Sequence, residues 1–104
     1  MLRAGLALTA ALIASGCGER SDVAPLAERG RQIYLTQCAT CHGGDPAHTG
    51  PLGPPIKGAS RELLEAKILR GAYPPGYQPQ RPTAVMPPQP ALAPDIPALA
   101  AYVK

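Results

Sequence analysis

Three residues within five positions carry the most reactive groups of this chain. Cys38, Cys41 and His42 lie in the pentapeptide Cys-Ala-Thr-Cys-His. The spacing C-x-x-C-H suits covalent haem attachment, in which each thiol adds to one vinyl group of the porphyrin to form a thioether. The imidazole that follows directly would reach the iron from the same side. The segment therefore predicts one haem c, bound through Cys38 and Cys41, with His42 as an iron ligand.

Two other kinds of site use closely spaced cysteines. A thioredoxin-like redox pair needs alternating strands and helices around it, and no stretch here shows the Val/Ile-rich alternation of strands. A zinc site needs a second pair of Cys or His ligands, for which the chain offers only Cys17 and His48. Because His48 belongs to a polar loop over residues 43–50, we expect it to face solvent. Haem remains the favoured interpretation.

The composition raises the question of what fills the core. The 104 residues include 14 Pro and 11 Gly but no Phe or Trp. A domain of about 90 residues buries only about 60–65% of the surface of its unfolded chain. A buried porphyrin would add several hundred Å² of apolar surface, on the order of 10 kcal/mol before entropy costs. We therefore expect haem to be a large part of the core.

The N-terminal residues are typical of an export signal. Arg3 precedes a nine-residue, largely apolar stretch at positions 6–14, which is too short for a bilayer span of roughly 17–25 residues. The small residues at 14–16 lead into Cys17, as in the bacterial lipobox, which this segment resembles. The resemblance implies a signal peptide over 1–16, a lipidated Cys17 that anchors the protein to a membrane, and a short tether over 17–24. The alternative is an ordinary signal peptide with an incidental Cys.

This arrangement predicts where the protein works and which partners it has. A lipidated Cys17 would hold a haem domain over 25–104 in the bacterial cell envelope, in the periplasm or otherwise outside the cytoplasmic membrane. Without Arg3, nine basic residues face seven acidic ones, a net charge of +2. That charge is too small for a nucleic-acid binder, which needs a dense basic face. We expect redox proteins as partners at the haem edge, with neither nucleic acid nor a small-molecule substrate.

Four further features surround the pentapeptide in a fixed order, and together they resemble the class I cytochromes c. They are Gly30-x-x-x-Tyr34-x-x-x-Cys38, Gly53-Pro54-Pro55-Ile56, Met86-Pro87 and a C-terminal segment 95–104 with the pair Leu99-x-x-Tyr102. The resemblance extends from about Leu26 to Lys104. It implies an all-α cytochrome c fold of three to four helices wrapped around one covalently attached haem.

The resemblance also implies particular roles for single residues. The N- and C-terminal helices are expected to cross at Gly30, where only hydrogen fits. The backbone carbonyl of Pro54 is expected to accept a hydrogen bond from the imidazole of His42. Met86 is expected to be the sixth ligand of the iron, and its thioether would raise the reduction potential. Tyr73 or Tyr77 could hydrogen-bond a haem propionate or simply pack.

Helix signals place the elements that position these residues. A first helix is predicted from about Pro25 to about Cys38. A second is predicted from a Ser60 cap to about Arg70, ended by Gly71. Its charged residues are predicted to form a solvated face, namely Arg61, Glu62, Glu65, Lys67 and Arg70. Residues 71–94 contain eight Pro and are predicted to be an irregular loop around the haem.

These expectations favour an electron carrier. A membrane-anchored monohaem cytochrome would pass single electrons between redox partners, without catalytic residues of its own, because no acid/base pair beside an open iron site is apparent. The alternatives are a haem c subunit of a larger redox enzyme, such as a dehydrogenase or a sulfur-oxidising complex, and a haem-based gas or redox sensor with a weak Met86 bond.

Overall fold

Helices make up all the regular secondary structure of residues 23–82 and 86–104, which are the residues described by this computed structural model. They are α1 (Val23–Gln37), α2 (Ala39–His42), α3 (Arg61–Leu64) with a π-helical turn (Glu65–Leu69), a 3₁₀ turn (Pro90–Asp95) and α4 (Ile96–Val103). The predicted all-α fold class is confirmed. The predicted signal peptide over 1–16 and the predicted lipidation site Cys17 lie outside the described residues. Within those residues, no helix has both the length and the apolarity that a bilayer span requires.

The crossing of α1 and α4 positions the rest of the fold. A Cβ atom built on Gly30 would overlap the backbone carbonyl of Ala98 and would lie 2.9 Å from Cβ of Tyr102. The glycine lets the two backbones approach this closely, so its cost of about 1 kcal/mol in a helix interior is offset by packing. The predicted crossing at Gly30 is present in the structure. Next to it the rings of Tyr34 and Tyr102 pack at 5.5 Å between centroids.

The buried core is small and almost entirely aliphatic. Its members come from α1, the α3 segment and α4, namely Tyr34, Leu64, Ile68, Ile96, Leu99 and Val103. Tyr34 is fully buried, and its hydroxyl donates a 2.6 Å hydrogen bond to the carbonyl of Gly43. This bond fastens α1 to the residue that follows the C-x-x-C-H segment.

The second predicted helix forms, but with a change of geometry halfway along it. Ser60 caps its N-terminus, because Oγ accepts a 3.1 Å bond from the N–H of Leu63. Gly71 ends it with φ 63°, as the sequence predicts. Between them, Glu65–Leu69 is π-helical, whereas the sequence predicts an ordinary α-helix. π-Helical turns are rare in proteins, but those that occur are often found at functional sites.

Two prolines lie at the starts of the last two helical elements, where the lack of a backbone N–H is tolerated. Pro90 begins the 3₁₀ turn Pro90–Asp95, within the segment that the sequence predicts to be irregular. Pro97 lies in the first turn of α4, where its missing N–H would have no helical partner. An ion pair of 3.0 Å between Arg29 and Asp95 joins α1 to this turn.

Replacing Tyr34 with Phe is expected to change the alkaline stability of the protein. Burial raises the pKa of Tyr34 from 10.0 to about 12. The contribution of the protonated Tyr34 hydroxyl to the free energy of unfolding is therefore complete below pH 10, and it is lost as the pH rises towards 12. At neutral pH the variant should be less stable by about 1 kcal/mol, because it lacks the hydrogen bond to Gly43. Denaturant titrations between pH 7 and 11.5 should show this difference narrowing above pH 10. A difference that stays constant would contradict the prediction.

Candidate haem site

A largely apolar cavity of about 680 Å³ opens between the C-x-x-C-H segment, the α3 segment and α4. Its volume falls within the roughly 300–1,000 Å³ typical of cofactor pockets. The chemistry-bearing residues on its wall are Cys38, Cys41, His42, Met86, Lys67, Arg81, Tyr73 and Tyr77, and its apolar wall includes Leu52, Ile56, Leu63, Leu64, Ile68, Leu99 and Val103. The cavity therefore brings the predicted haem residues together.

The two thiols differ in environment, and Cys38 is not activated as a redox thiol would be. Cys38 is half-buried and Cys41 is exposed, and both are free. Burial, followed by the nearby Cys41, raises the pKa of the Cys38 thiol to about 11. Redox-active Cys-x-x-Cys pairs instead rely on a thiol whose pKa is lowered. This argues against the thioredoxin-like alternative.

The imidazole of His42 is held in a defined orientation. Its Nδ1 lies 2.9 Å from the carbonyl oxygen of Pro54, which can only accept a hydrogen bond. Nδ1 therefore carries the proton, and the lone pair of Nε2 is left for a metal. This is the contact that the family resemblance implies for Pro54.

The loop that supplies the Pro54 carbonyl is fastened to the C-x-x-C-H segment by backbone hydrogen bonds. The N–H groups of Leu52 and Gly53 both donate to the carbonyl of Cys41, at 3.0 and 2.8 Å. A Cβ atom on Gly53 would lie 2.5 Å from Nδ1 and 2.6 Å from Cε1 of His42. Glycine is required there because the backbone lies directly against the imidazole ring.

Replacing Gly53 with Ala is therefore expected to disturb His42. The ring must turn, or the loop must move away, and either change lengthens the 2.9 Å bond to Pro54. We expect a loss of about 1–3 kcal/mol of stability from overpacking together with a shifted reduction potential. Denaturation and potentiometry would measure both. Gly44→Ala is the matched control, because a Cβ there meets nothing within 4 Å; equal effects of the two substitutions would refute the prediction.

Met86 and His48 have different surroundings, as their sequence contexts predict. Met86 is half-buried and lines the same cavity as His42. The side chain of His48 is 79% exposed and lies 3.6 Å from the carboxylate of Asp45, away from the cavity. In residues 23–82 and 86–104, no three His, Cys, Asp or Glu side chains are grouped so that they could hold a metal ion.

The position of Lys67 corrects the sequence prediction of a solvated face. Lys67 lines the cavity, and its Nζ lies 4.3 Å from the ring centroid of Tyr73. Tyr73 in turn stacks on Tyr77, with 5.3 Å between centroids and 12° between planes. Lys67 lies within the π-helical turn, which the sequence does not predict, so its direction could not be read from an α-helical pattern. Arg81, whose place in the Pro-rich loop carries no sequence signal for a role in the site, also lines the cavity.

The residues present fit a covalently attached porphyrin. An apolar cavity of suitable volume carries two thiols, an imidazole of fixed tautomer and a thioether on its wall, and the Gly53 backbone leaves room for the imidazole. Fold and site together define a small all-α haem-binding protein.

Comparison with known sequences identifies the family. Residues 27–104 match the family Cytochrome c. The chain belongs to this family, and its cofactor is a covalently bound haem c. No curated protein matches the chain.

Solved structures share the fold. Cytochrome cL from Hyphomicrobium denitrificans is 23% identical with a TM-score of 0.51, and the match covers 79% of this chain and 48% of that one. Cytochrome cL from the marine methylotrophic bacterium Methylophaga aminisulfidivorans is 22% identical with a TM-score of 0.51, covering 85% and 61%. The chain thus spans about half to three fifths of the length of these two proteins.

Proposed function

We propose that this protein is a membrane-anchored monohaem cytochrome that carries single electrons between redox proteins of the bacterial envelope. Haem bound to Cys38 and Cys41 would supply reversible one-electron chemistry at its iron. The single observation that carries the proposal is the pairing of an oriented imidazole, His42, with the thioether of Met86 on the wall of one apolar cavity.

His42 and Met86 would act on the iron in two ways: as its ligands, and by keeping other molecules away from it. The bond from Nδ1 of His42 to Pro54, 2.9 Å long, fixes the ring and makes Nε2 a better donor. The soft, neutral sulfur of Met86 favours Fe(II), which raises the reduction potential. With Met86 as a ligand in addition to His42, oxygen and peroxide would be kept off the metal. The site thereby supports electron relay in preference to catalysis.

The proposed anchor keeps the haem domain close to the membrane. Only five residues separate Cys17 from the start of α1 at Val23. Fully extended, they reach about 18 Å at roughly 3.5 Å each. We infer that the redox partner is itself at a membrane surface or is brought to it.

Spectroscopy and fractionation of the matured protein and of Cys17→Ser test both parts of this proposal. The parent protein should be found with membranes and show a c-type α-band on reduction. Cys17→Ser should be released into the soluble fraction with its spectrum unchanged. A colourless protein, or one whose mass is no greater than that of the acylated peptide, would refute the haem assignment. A Cys17→Ser protein that remains on membranes would refute the anchor alone.

A second candidate function is a fixed haem subunit of a larger redox enzyme. Leu52 lies on the cavity wall and is 62% exposed, which suits a lasting contact with another protein at the haem edge. Co-purification of a partner in fixed stoichiometry from mildly solubilised membranes would favour this candidate. A monomer of the anchored protein would favour the free carrier.

A further inference from the structure

Tyr34 is hydrogen-bonded to both ends of the haem-attachment segment, which comprises residues 38–43. Its backbone carbonyl accepts a 2.8 Å bond from the N–H of Cys38. Its hydroxyl donates a 2.6 Å bond to the carbonyl of Gly43, the residue that follows His42. The side chain is fully buried and does not line the cavity. Tyr34 therefore holds the segment from outside the space that a haem would fill.

The backbone of Gly43 has an unusual conformation that these bonds fix. Its φ of 83° and ψ of 169° lie in a region that is almost exclusive to glycine. Its N–H ends α2 by donating a 2.8 Å bond to the carbonyl of Ala39, and its carbonyl accepts from the hydroxyl of Tyr34. Both polar groups of the peptide unit are thus held, so the change of chain direction directly after His42 is fixed.

A second contact reaches the segment from the loop that follows it. A Cβ atom built on Gly50 would overlap the carbonyl carbon of His42 and the carbonyl oxygen of Cys41, and it would lie 2.6 Å from the nitrogen of Gly43. The loop backbone is therefore in direct contact with residues 41–43. Because this contact leaves no space on the loop side, a displacement of these residues can only take them away from the loop.

We propose that Tyr34, through its hydroxyl, is a positioning residue for the iron ligand His42. By holding the carbonyl of Gly43, it keeps the imidazole in one plane and at 2.9 Å from the carbonyl oxygen of Pro54. The inference rests on the proposed function, since it takes His42 as a ligand of haem iron. This role is separate from the packing of the aromatic ring at the helix crossing, which a phenylalanine would supply equally well.

The test uses three variants of the matured holoprotein. Tyr34→Phe removes the hydroxyl and keeps the ring. Tyr102→Phe makes the same change on the neighbouring ring, 5.5 Å away between centroids, and leaves the bond from Tyr34 to Gly43 in place. Ser60→Ala is the control for stability, because it loses one hydrogen bond, from the N–H of Leu63, at a helix cap that does not line the cavity.

Two measurements report on the iron and its ligand while every variant is folded at neutral pH. Proton NMR of the oxidised protein gives the spread of the haem methyl resonances, which depends on the plane of the axial imidazole. Potentiometry gives the preference of the site for Fe(III) over Fe(II). A loss of stability alone, as in Ser60→Ala, moves neither quantity.

We expect only Tyr34→Phe to change both quantities. Without the hydroxyl, residues 41–43 move away from the loop, and the bond from Nδ1 of His42 to Pro54 lengthens. A longer bond makes Nε2 a weaker donor, which disfavours Fe(III), so the reduction potential should rise. The preference for Fe(III) should fall by up to about ten-fold, because partners bonded directly to a ligand change metal affinity about 10–100-fold and Tyr34 acts through Gly43.

Parent values of both quantities in Tyr34→Phe, or changes of equal size in Tyr102→Phe or Ser60→Ala, would overturn the inference. This failure is distinguishable from a failure of the proposed function. In the first case the parent protein still shows its c-type α-band on reduction. In the second case that band is missing from the parent protein itself.

Discussion

Replacing Met86 with Ala is expected to abolish the weak far-red band of the oxidised protein, which arises from charge transfer between sulfur and iron. The reduction potential should fall on the order of hundreds of millivolts, since axial ligands set haem potentials over about 0.8 V. Carbon monoxide should then bind readily to the reduced protein at neutral pH, because the sixth position is open. Absorption spectroscopy and potentiometry would measure these changes.

The control for this experiment is another apolar residue of the same cavity. Leu52→Ala removes a side chain from the wall without removing a ligand, so the far-red band should persist. If the band survives in Met86→Ala, the sixth ligand is not Met86. If the parent protein binds carbon monoxide as readily as Met86→Ala does, the bond to sulfur is weak, as in the sensor alternative.

Replacing Gly30 with Val is expected to be the most destabilising change outside the haem site. The new side chain would meet the backbone of Ala98 and Cβ of Tyr102, and a backbone cannot turn aside as the end of a flexible side chain can. We expect a loss of at least about 3 kcal/mol, the upper end of usual overpacking costs. The gain in helix propensity on replacing Gly is below about 1 kcal/mol and cannot compensate.

Gly44→Val is the matched control for Gly30→Val. A Cβ at Gly44 has no neighbour within 4 Å, so the same change in composition should alter the free energy of unfolding by about 0.5 kcal/mol or less. Guanidinium denaturation of the oxidised holoproteins would compare them. If both variants unfold at the same denaturant concentration, the two helices do not depend on contact at Gly30.

The features predictable from the sequence are those with a local signal. Ser60 and Gly71 mark the two ends of a helix by their chemistry, and both act there as caps or terminators. The close approach at Gly30 comes from the family resemblance, because a glycine within a helical pattern does not by itself tell which segment crosses there. The contact between His42 and the Pro54 carbonyl comes from the family resemblance, because spacing alone does not fix the path of a loop.

The features that the sequence did not predict depend on packing between distant segments. The π-helical turn Glu65–Leu69 has a composition that suits an α-helix equally well, so nothing local distinguishes the two. An α-helical pattern consequently predicts that Lys67 lies on a solvated face, although its ammonium group lies over Tyr73 beside the cavity. Arg81 comes from a Pro-rich loop without periodicity, whose direction only the fold defines.

The contact between α1 and α4 bears on when the C-terminal helix can pack relative to haem attachment. Gly30 and Ala98 meet in the crossing although 68 positions separate them, and Val103 lines the same cavity as Cys38. Synthesis from the N-terminus therefore delivers both thiols well before the helix that closes over them. During this interval the thiols would be accessible for attachment to haem. Haem attachment at the two thiols can thus precede the packing of α4 on α1, which then completes the fold around the cofactor.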